Sequence, residues 1–316
     1  RSSAAWGLVE LDDNSETVLL ALLELLKDKD SQVRSSAALA LVELCDNSET
    51  VLLALLELLK DKDSQVRSSA ALAFVSLGDN SETVLLALLE LLKDKDSEVR
   101  SSAAWGLGSL GKNSETVLQA LLELLKDDNS EVRSSAASVL VELGDNSETV
   151  LQALLELLKD DNSEVRSSAA SVLVELGDNS ETVLQALLEL LKDDNSEVRS
   201  SAASVLVELG DNSETVLQAL LELLKDDNSD VRYSAASALV ELGDNSQAVL
   251  LALLELLKDD NSQVRYSAAW ALDRLGKIFS DVPPAVAEWL KQQQDSEGVG
   301  NVIDVLWDLV AGENSV

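Results

Sequence analysis

The chain has 316 residues and a formal net charge of −34, with two prolines, one cysteine and no histidine. A field of that sign repels phosphate backbones and anionic lipid, so neither nucleic acid nor a membrane surface is an expected partner, and a basic partner is allowed but not implied. A lone Cys45 allows no internal disulfide, no apolar run approaches the roughly 20 residues that span a bilayer, and no signal peptide is visible, which favours a cytoplasmic location.

The chain opens inside a motif. Arg1 is the first of nine arginines, followed by Arg34, Arg67, Arg100, Arg133, Arg166, Arg199, Arg232 and Arg265, each 33 residues after the last. A fixed period of this length marks a stack of one supersecondary unit, whose core grows with copy number. Residues 145–177 and 178–210 are identical, and 112–144 differs from them only at Lys112. Such identity points to recent duplication or to design.

Each unit reads as two helices. In Asp161–Gly177, helix A, the residues Val165, Ala169, Leu173 and Leu176 share one helical face. Asp161 with Glu164 gives a capping-box pattern at its start, and Gly177 ends it as a residue able to turn left-handed. In Asp178–Lys192, helix B, a second capping-box pattern joins Asp178 to Glu181. Val183, Leu184, Leu187, Leu188, Leu190 and Leu191 make a wide apolar stripe there, opposite Thr182, Gln185, Glu189 and Lys192. The turns are short, so A and B are antiparallel neighbours, and neither buries its stripe without stacking. Near the end the frame outlasts the identity. Glu288 and Lys291 stand one period after Glu255 and Lys258, which puts Pro283 and Pro284 in the first turn of the ninth helix B. Val299, Val302, Ile303, Leu306 and Leu309 then mark a last helix. The expected organisation is nine units over 1–294, the first beginning mid-motif, and a capping helix over 295–316.

The ankyrin period is also 33, but the ankyrin Thr-Pro-Leu-His signature is absent. Helix A instead carries Asp63, Val66, Arg67, Ala70, Ala71 and Ala73, followed by Leu77-Gly78-Asp79. This pattern resembles the short HEAT-like repeats of bacteria and archaea, the type also called phycobilisome-lyase-like. The resemblance covers about 1–294. It implies an all-α fold, an α-solenoid (superhelix) of HEAT-like helical hairpins with helix B on the concave side. It also implies that each recurring Arg pairs with an Asp of a neighbouring repeat.

Motifs that suggest chemistry have simpler explanations. Gly106–Asn113, GLGSLGKN, comes close to a phosphate-binding loop. Asn113 replaces the hydroxyl residue and no strand precedes it, so a helix A ending at Gly111 is expected instead. The Asp-rich turns lack the glycine and the twelfth-position Glu of a calcium loop and read as helix caps. Cys45 has no histidine to activate it. Acid–base catalysis needs two carboxyl groups in different environments, whereas these acids are copied from unit to unit. A catalytic set is unique in its chain, and near-perfect repetition leaves no place for one. Neither enzymatic activity, nor a cofactor, nor a metal is expected.

Function is then sought where the repetition breaks. On the polar face of helix B one row reads Leu20, Leu53, Leu86, Gln119, Gln152, Gln185, Gln218 and Leu251. Its leucines are either partner contacts or residues tolerated at a half-buried position. On helix A a second row, Trp6, Leu39, Leu72, Trp105, Ser138, Ser171, Ser204, Ser237 and Trp270, lies nearly opposite the core, on the convex side. Trp6, Trp105 and Trp270 are interface candidates or lie flat over a neighbouring helix. Tyr233 and Tyr266 replace Ser in the last two units and crowd the same outer surface. The leading expectation is a non-catalytic scaffold for protein–protein interaction, part of a larger protein. The alternatives are a sensor arm of a signalling protein, a chromophore-handling accessory of the lyase type, and a designed array without a natural ligand. An apolar edge on the first hairpin adds an expectation of weak end-to-end self-association.

Overall fold

The computed structural model describes residues 1–10, 16–44, 48–78, 81–111, 114–177 and 179–292, which form eighteen α-helices and no strand. Helices A are α1 (Ser2–Glu10), α3 (Ser31–Glu43), α5 (Ser64–Leu77), α7 (Ser97–Ser109), α9 (Ser130–Glu142), α11 (Ser163–Glu175), α13 (Ser196–Glu208), α15 (Ser229–Glu241) and α17 (Ser262–Ile278). Helices B are α2 (Glu16–Leu25), α4 (Glu49–Leu58), α6 (Glu82–Leu91), α8 (Glu115–Leu124), α10 (Glu148–Leu157), α12 (Glu181–Leu190), α14 (Glu214–Leu223), α16 (Gln247–Leu256) and α18 (Val282–Gln292). The expected tandem of helical hairpins is therefore present. Cys45, Lys112, Asn113 and the capping helix expected over 295–316 lie outside the described residues. No described helix is long and apolar enough to cross a membrane.

The chain divides into two compact units, Arg1–Leu157 and Leu158–Val316. In the first, α1, α3, α5, α7 and α9 pack in series, and α2, α4, α6 and α8 each pack on the helix A that follows. The second unit repeats the scheme with α11, α13, α15 and α17, backed by α12, α14 and α16, and α18 packs on both α16 and α17.

The periodicity explains the core. Val165, Ala169, Leu173 and Leu176 are all buried, as are the six apolar residues of the α12 stripe, while Thr182, Gln185, Glu189 and Lys192 are exposed. Leu22, Leu55, Leu88, Leu121 and Leu154 recur at one position of helix B with no exposed surface. Each contributes about 1.5–3 kcal/mol by leaving water. The faces joining consecutive helices A are built from small residues: Ala37, Ala38, Ala70 and Ala71 are buried, and so are Ser35, Ser36, Ser68 and Ser69. Side chains this short let the helices approach closely, and the Ser68 and Ser102 hydroxyls share a 2.8 Å hydrogen bond between α5 and α7.

The helix caps differ from the expected ones. Helix α11 is capped by Asn162, not Asp161; its Oδ1 accepts the N–H groups of Glu164 and Val165. Helix α12 is capped by Ser180, whose Oγ accepts from Val183 N, while Asp178 lies outside the described residues. The equivalent Asp145 and Asp211 each accept the N–H two residues on, from Ser147 and Ser213, and so shape the turn before the cap. The helix ends follow expectation: Gly177 turns left-handed at φ 74°. Gly276 departs from this. It stays inside α17, and Lys277 beside it pairs with Asp273 at 2.9 Å, at the position where Asp145, Asp211 and Asp244 open the turn in other repeats. Gly106 and Gly108 are helical, in α7, and a Cβ on Gly108 would come within 2.9 Å of Val139 Cγ1. Gly108 thus answers to packing of α7 on α9, and Gly106, whose Cβ would come within 3.1 Å of Leu88, to packing of α7 on α6.

Candidate functional site

The repeating arginines form a ladder of largely buried ion pairs. Arg67 on α5 donates Nε and Nη2 to the two carboxylate oxygens of Asp94, both at 2.7 Å, and Nη1 to the carbonyl of Asp61 at 2.8 Å. Asp94 follows α6 and also accepts the backbone N–H of Asp96. One guanidinium thus ties together the turns after two consecutive helices B. Arg34 with Asp61, Arg100 with Asp127, Arg166 with Asp193, Arg199 with Asp226 and Arg232 with Asp259 repeat the geometry, always 27 residues apart. The pairing implied by family resemblance is present, and it is structural. Burial alone pushes the Asp94 carboxyl up, but the Arg67 guanidinium and the Asp96 N–H outweigh it and hold the group below its ordinary value. Arg67 is raised in turn, chiefly by its bond to Asp94.

The ladder breaks at its last described rung. The residue 27 after Arg265 is Gln292, and Arg265 Nε is buried without a partner. Its Nη1 still donates to the carbonyls of Asp259 and Asp260. Gln292→Asp is expected to raise the urea midpoint, adding about 1 kcal/mol to the last hairpin by giving a charge-assisted acceptor to an orphaned donor. The gain should vanish in an Arg265→Met background.

The helix B row is on the surface as expected. Leu20, Leu53, Leu86 and Leu251 are 58%, 55%, 56% and 56% exposed, and Gln119, Gln152, Gln185 and Gln218 are exposed too. Three of these glutamines reach one turn back, Gln119 to Glu115 at 2.9 Å, Gln152 to Glu148 at 2.8 Å and Gln185 to Glu181 at 2.7 Å. Leucine has no donor to make that bond. In the first unit each exposed leucine therefore lies in line between two exposed carboxylates, Glu16 and Glu24, Glu49 and Glu57, or Glu82 and Glu90. Leu86 also borders a groove of about 880 Å³ along α4 and α6, with Leu56, Thr83, Ala87 and Glu90. In the second unit Leu251 borders one of about 410 Å³ with Trp289, whose ring lies 5.3 Å from Lys258 Nζ.

The helix A row is less uniform. Trp6 and Trp105 are exposed, and Leu72 with them. Trp270 is half-buried, with the Arg274 guanidinium 5.3 Å from its ring centroid. Ser138, Ser171 and Ser204 turn their hydroxyls back onto their own helix carbonyls.

These are the repeating A–B hairpins, the closely packed Ala and Ser faces and the Asp–Arg rungs of one repeat type. The sequence pattern of HEAT repeats matches residues 1–75, 54–141, 85–174, 118–207, 151–240 and 217–307. The chain belongs to the HEAT-repeat family. The match is to HEAT repeats as a whole. No curated protein matches the chain significantly. Among solved structures, YibA of E. coli is similar at 26% identity and TM-score 0.61, covering 87% of this chain and 96% of its own. Kap95p, in a structure describing its binding to RanGDP, is similar at 16% identity and TM-score 0.67, over 94% of this chain. Kap121p bound to the extreme C-terminus of the phosphatase Cdc14p is similar at 16% identity and TM-score 0.63, over 96% of this chain. The HEAT array here spans 48% of that Kap95p chain and 39% of the Kap121p chain.

Proposed function

We propose that this HEAT array is a non-catalytic scaffold that binds a protein segment along the helix B face of its first unit. The observation that carries this is the row of Leu20, Leu53 and Leu86. Three large apolar side chains are more than half exposed at the same position of successive repeats, where the middle repeats carry glutamine. Aligned apolar groups on a soluble surface mark interaction sites. The flanking glutamates favour a partner segment whose apolar residues are bordered by basic ones. Kap95p and Kap121p, similar in fold, are seen with protein partners, which supports a protein rather than a small molecule as ligand. The exposed Trp6 and Trp105 offer a second surface on helices A.

The test is a pull-down with the whole chain beside a variant carrying Leu20, Leu53 and Leu86 changed to Gln. Glutamine is the residue four other repeats use at this position, so the fold is retained. The proteins captured by the unaltered chain are expected to be lost from the variant. Equal capture by both would remove the B face from consideration.

A further inference from the structure

The repetition of helix A also breaks at a second position, in the second unit. Seven repeats carry Ser immediately after the ladder arginine, and the last two carry Tyr233 and Tyr266. At Ser35, Ser68 and Ser101 this serine is buried. The two tyrosines instead emerge to 46% and 54% exposure, on the adjacent helices α15 and α17. They line one recess of about 520 Å³, together with Asp230, Ser262 and Gln263.

The chemistry of this recess has one sign. Its single charged group is Asp230, whose carboxylate has no ion-pair partner among the described residues. The nearest arginine in sequence, Arg232, is committed to Asp259 and Asp260. The helix N-termini at the recess do not invite an anion, because their N–H groups are already spent. Asn228 accepts from Asp230 N and Val231 N, and Asn261 accepts from Gln263 N and Val264 N. What remains is two aromatic rings beside a free carboxylate, on a chain of net charge −34. Aromatic faces attract cations, and a planar guanidinium stacks on a ring while bonding a carboxylate with two parallel N–H groups.

We propose that the Tyr233–Tyr266 recess binds an arginine side chain of a basic partner segment. The guanidinium stacks against the tyrosine rings and donates to Asp230, with Gln263 and Ser262 as neutral acceptors at the rim. This surface is on helices A of the second unit, so it is independent of the helix B face proposed above.

The chain offers a direct reporter, because it has only two tyrosines and both are here. With 3-fluorotyrosine incorporated, ¹⁹F NMR shows two resonances. Titration with N-acetyl-arginine amide is expected to shift both saturably, while N-acetyl-citrulline amide, of the same shape without the charge, leaves them in place. Asp230→Asn should weaken the arginine response by about fivefold or more. Glu164→Gln, two repeats earlier at the same register position but without a tyrosine, should leave it unchanged. Equal shifts with citrulline, no shift with arginine, or an undiminished response in Asp230→Asn would each overturn the proposal.

Discussion

Asp94→Ala is expected to lower the stability of the first unit by about 3–5 kcal/mol, the range for removing one partner of a buried ion pair. The loss is large because Asp94 does three things at once. It accepts Nε and Nη2 of Arg67 and the backbone N–H of Asp96. Alanine leaves that guanidinium buried, held only through Nη1 on the Asp61 carbonyl. Asp128 is the control. It also accepts from a ladder arginine, Arg100, but its side chain is almost wholly exposed, so Asp128→Ala should leave the urea midpoint unmoved. Because a repeat array is stabilised by nearest-neighbour interfaces, the damage in Asp94→Ala should concentrate at the α5–α7 seam. Amide exchange should rise there first, and an equal rise throughout the chain would contradict the one-dimensional picture.

The same variant fixes the sign of a pH effect. Asp94 is held below its ordinary value of 3.8 in the folded chain, since Arg67 and the Asp96 N–H outweigh burial. A carboxyl depressed by folding contributes stability that is complete well above that ordinary value and is lost as pH falls below it. The gap between the unaltered chain and Asp94→Ala should therefore be full at neutral pH and close progressively below about pH 3.8. A gap that stays constant to pH 2 would mean that the charge on Asp94 is not what stabilises the seam.

How far the sequence reveals this structure depends on whether the deciding contact is local. The helices, their buried faces and the left-handed Gly177 all follow from neighbours within one or two turns, and each is legible in a single unit. The caps are not. In Asp160-Asp161-Asn162-Ser163 several adjacent residues have side chains competent to cap α11. In the equivalent run after α12, Asp193 accepts from Arg166, 27 residues away, and from the Asn195 N–H. Asp194, the counterpart of Asp161, also accepts from Arg166, and Asn195 is left to cap α13. The cap is assigned by a long-range ion pair, so a local pattern picks the wrong residue. The burial of the serines is likewise set by distant contacts. Ser68 reads as polar surface until α7 is brought against α5 closely enough to cover it. The exposed helix B row is legible from helical angle alone, but the recess at Tyr233 and Tyr266 requires knowing that α15 and α17 lie side by side.

Leu88→Ala and Leu86→Ala, two residues apart on α6, are expected to separate folding from binding. Leu88 has no exposed surface, and its loss leaves a cavity in a close-packed core, at a cost of about 2–5 kcal/mol. Leu86 is 56% exposed, and truncating it on a helix that tolerates alanine well should change stability by less than about 0.5 kcal/mol. Capture of a partner by the first unit should respond in the reverse order when each variant is assayed under conditions where it is folded. Leu86→Ala removes one of three aligned contacts, while Leu88→Ala leaves the exposed row intact. Urea denaturation and pull-down on the same two proteins decide the matter. If Leu86→Ala neither destabilises the chain nor reduces capture, Leu86 is a tolerated surface residue. If it destabilises as much as Leu88→Ala, the row belongs to the core and the binding face must be sought on helices A.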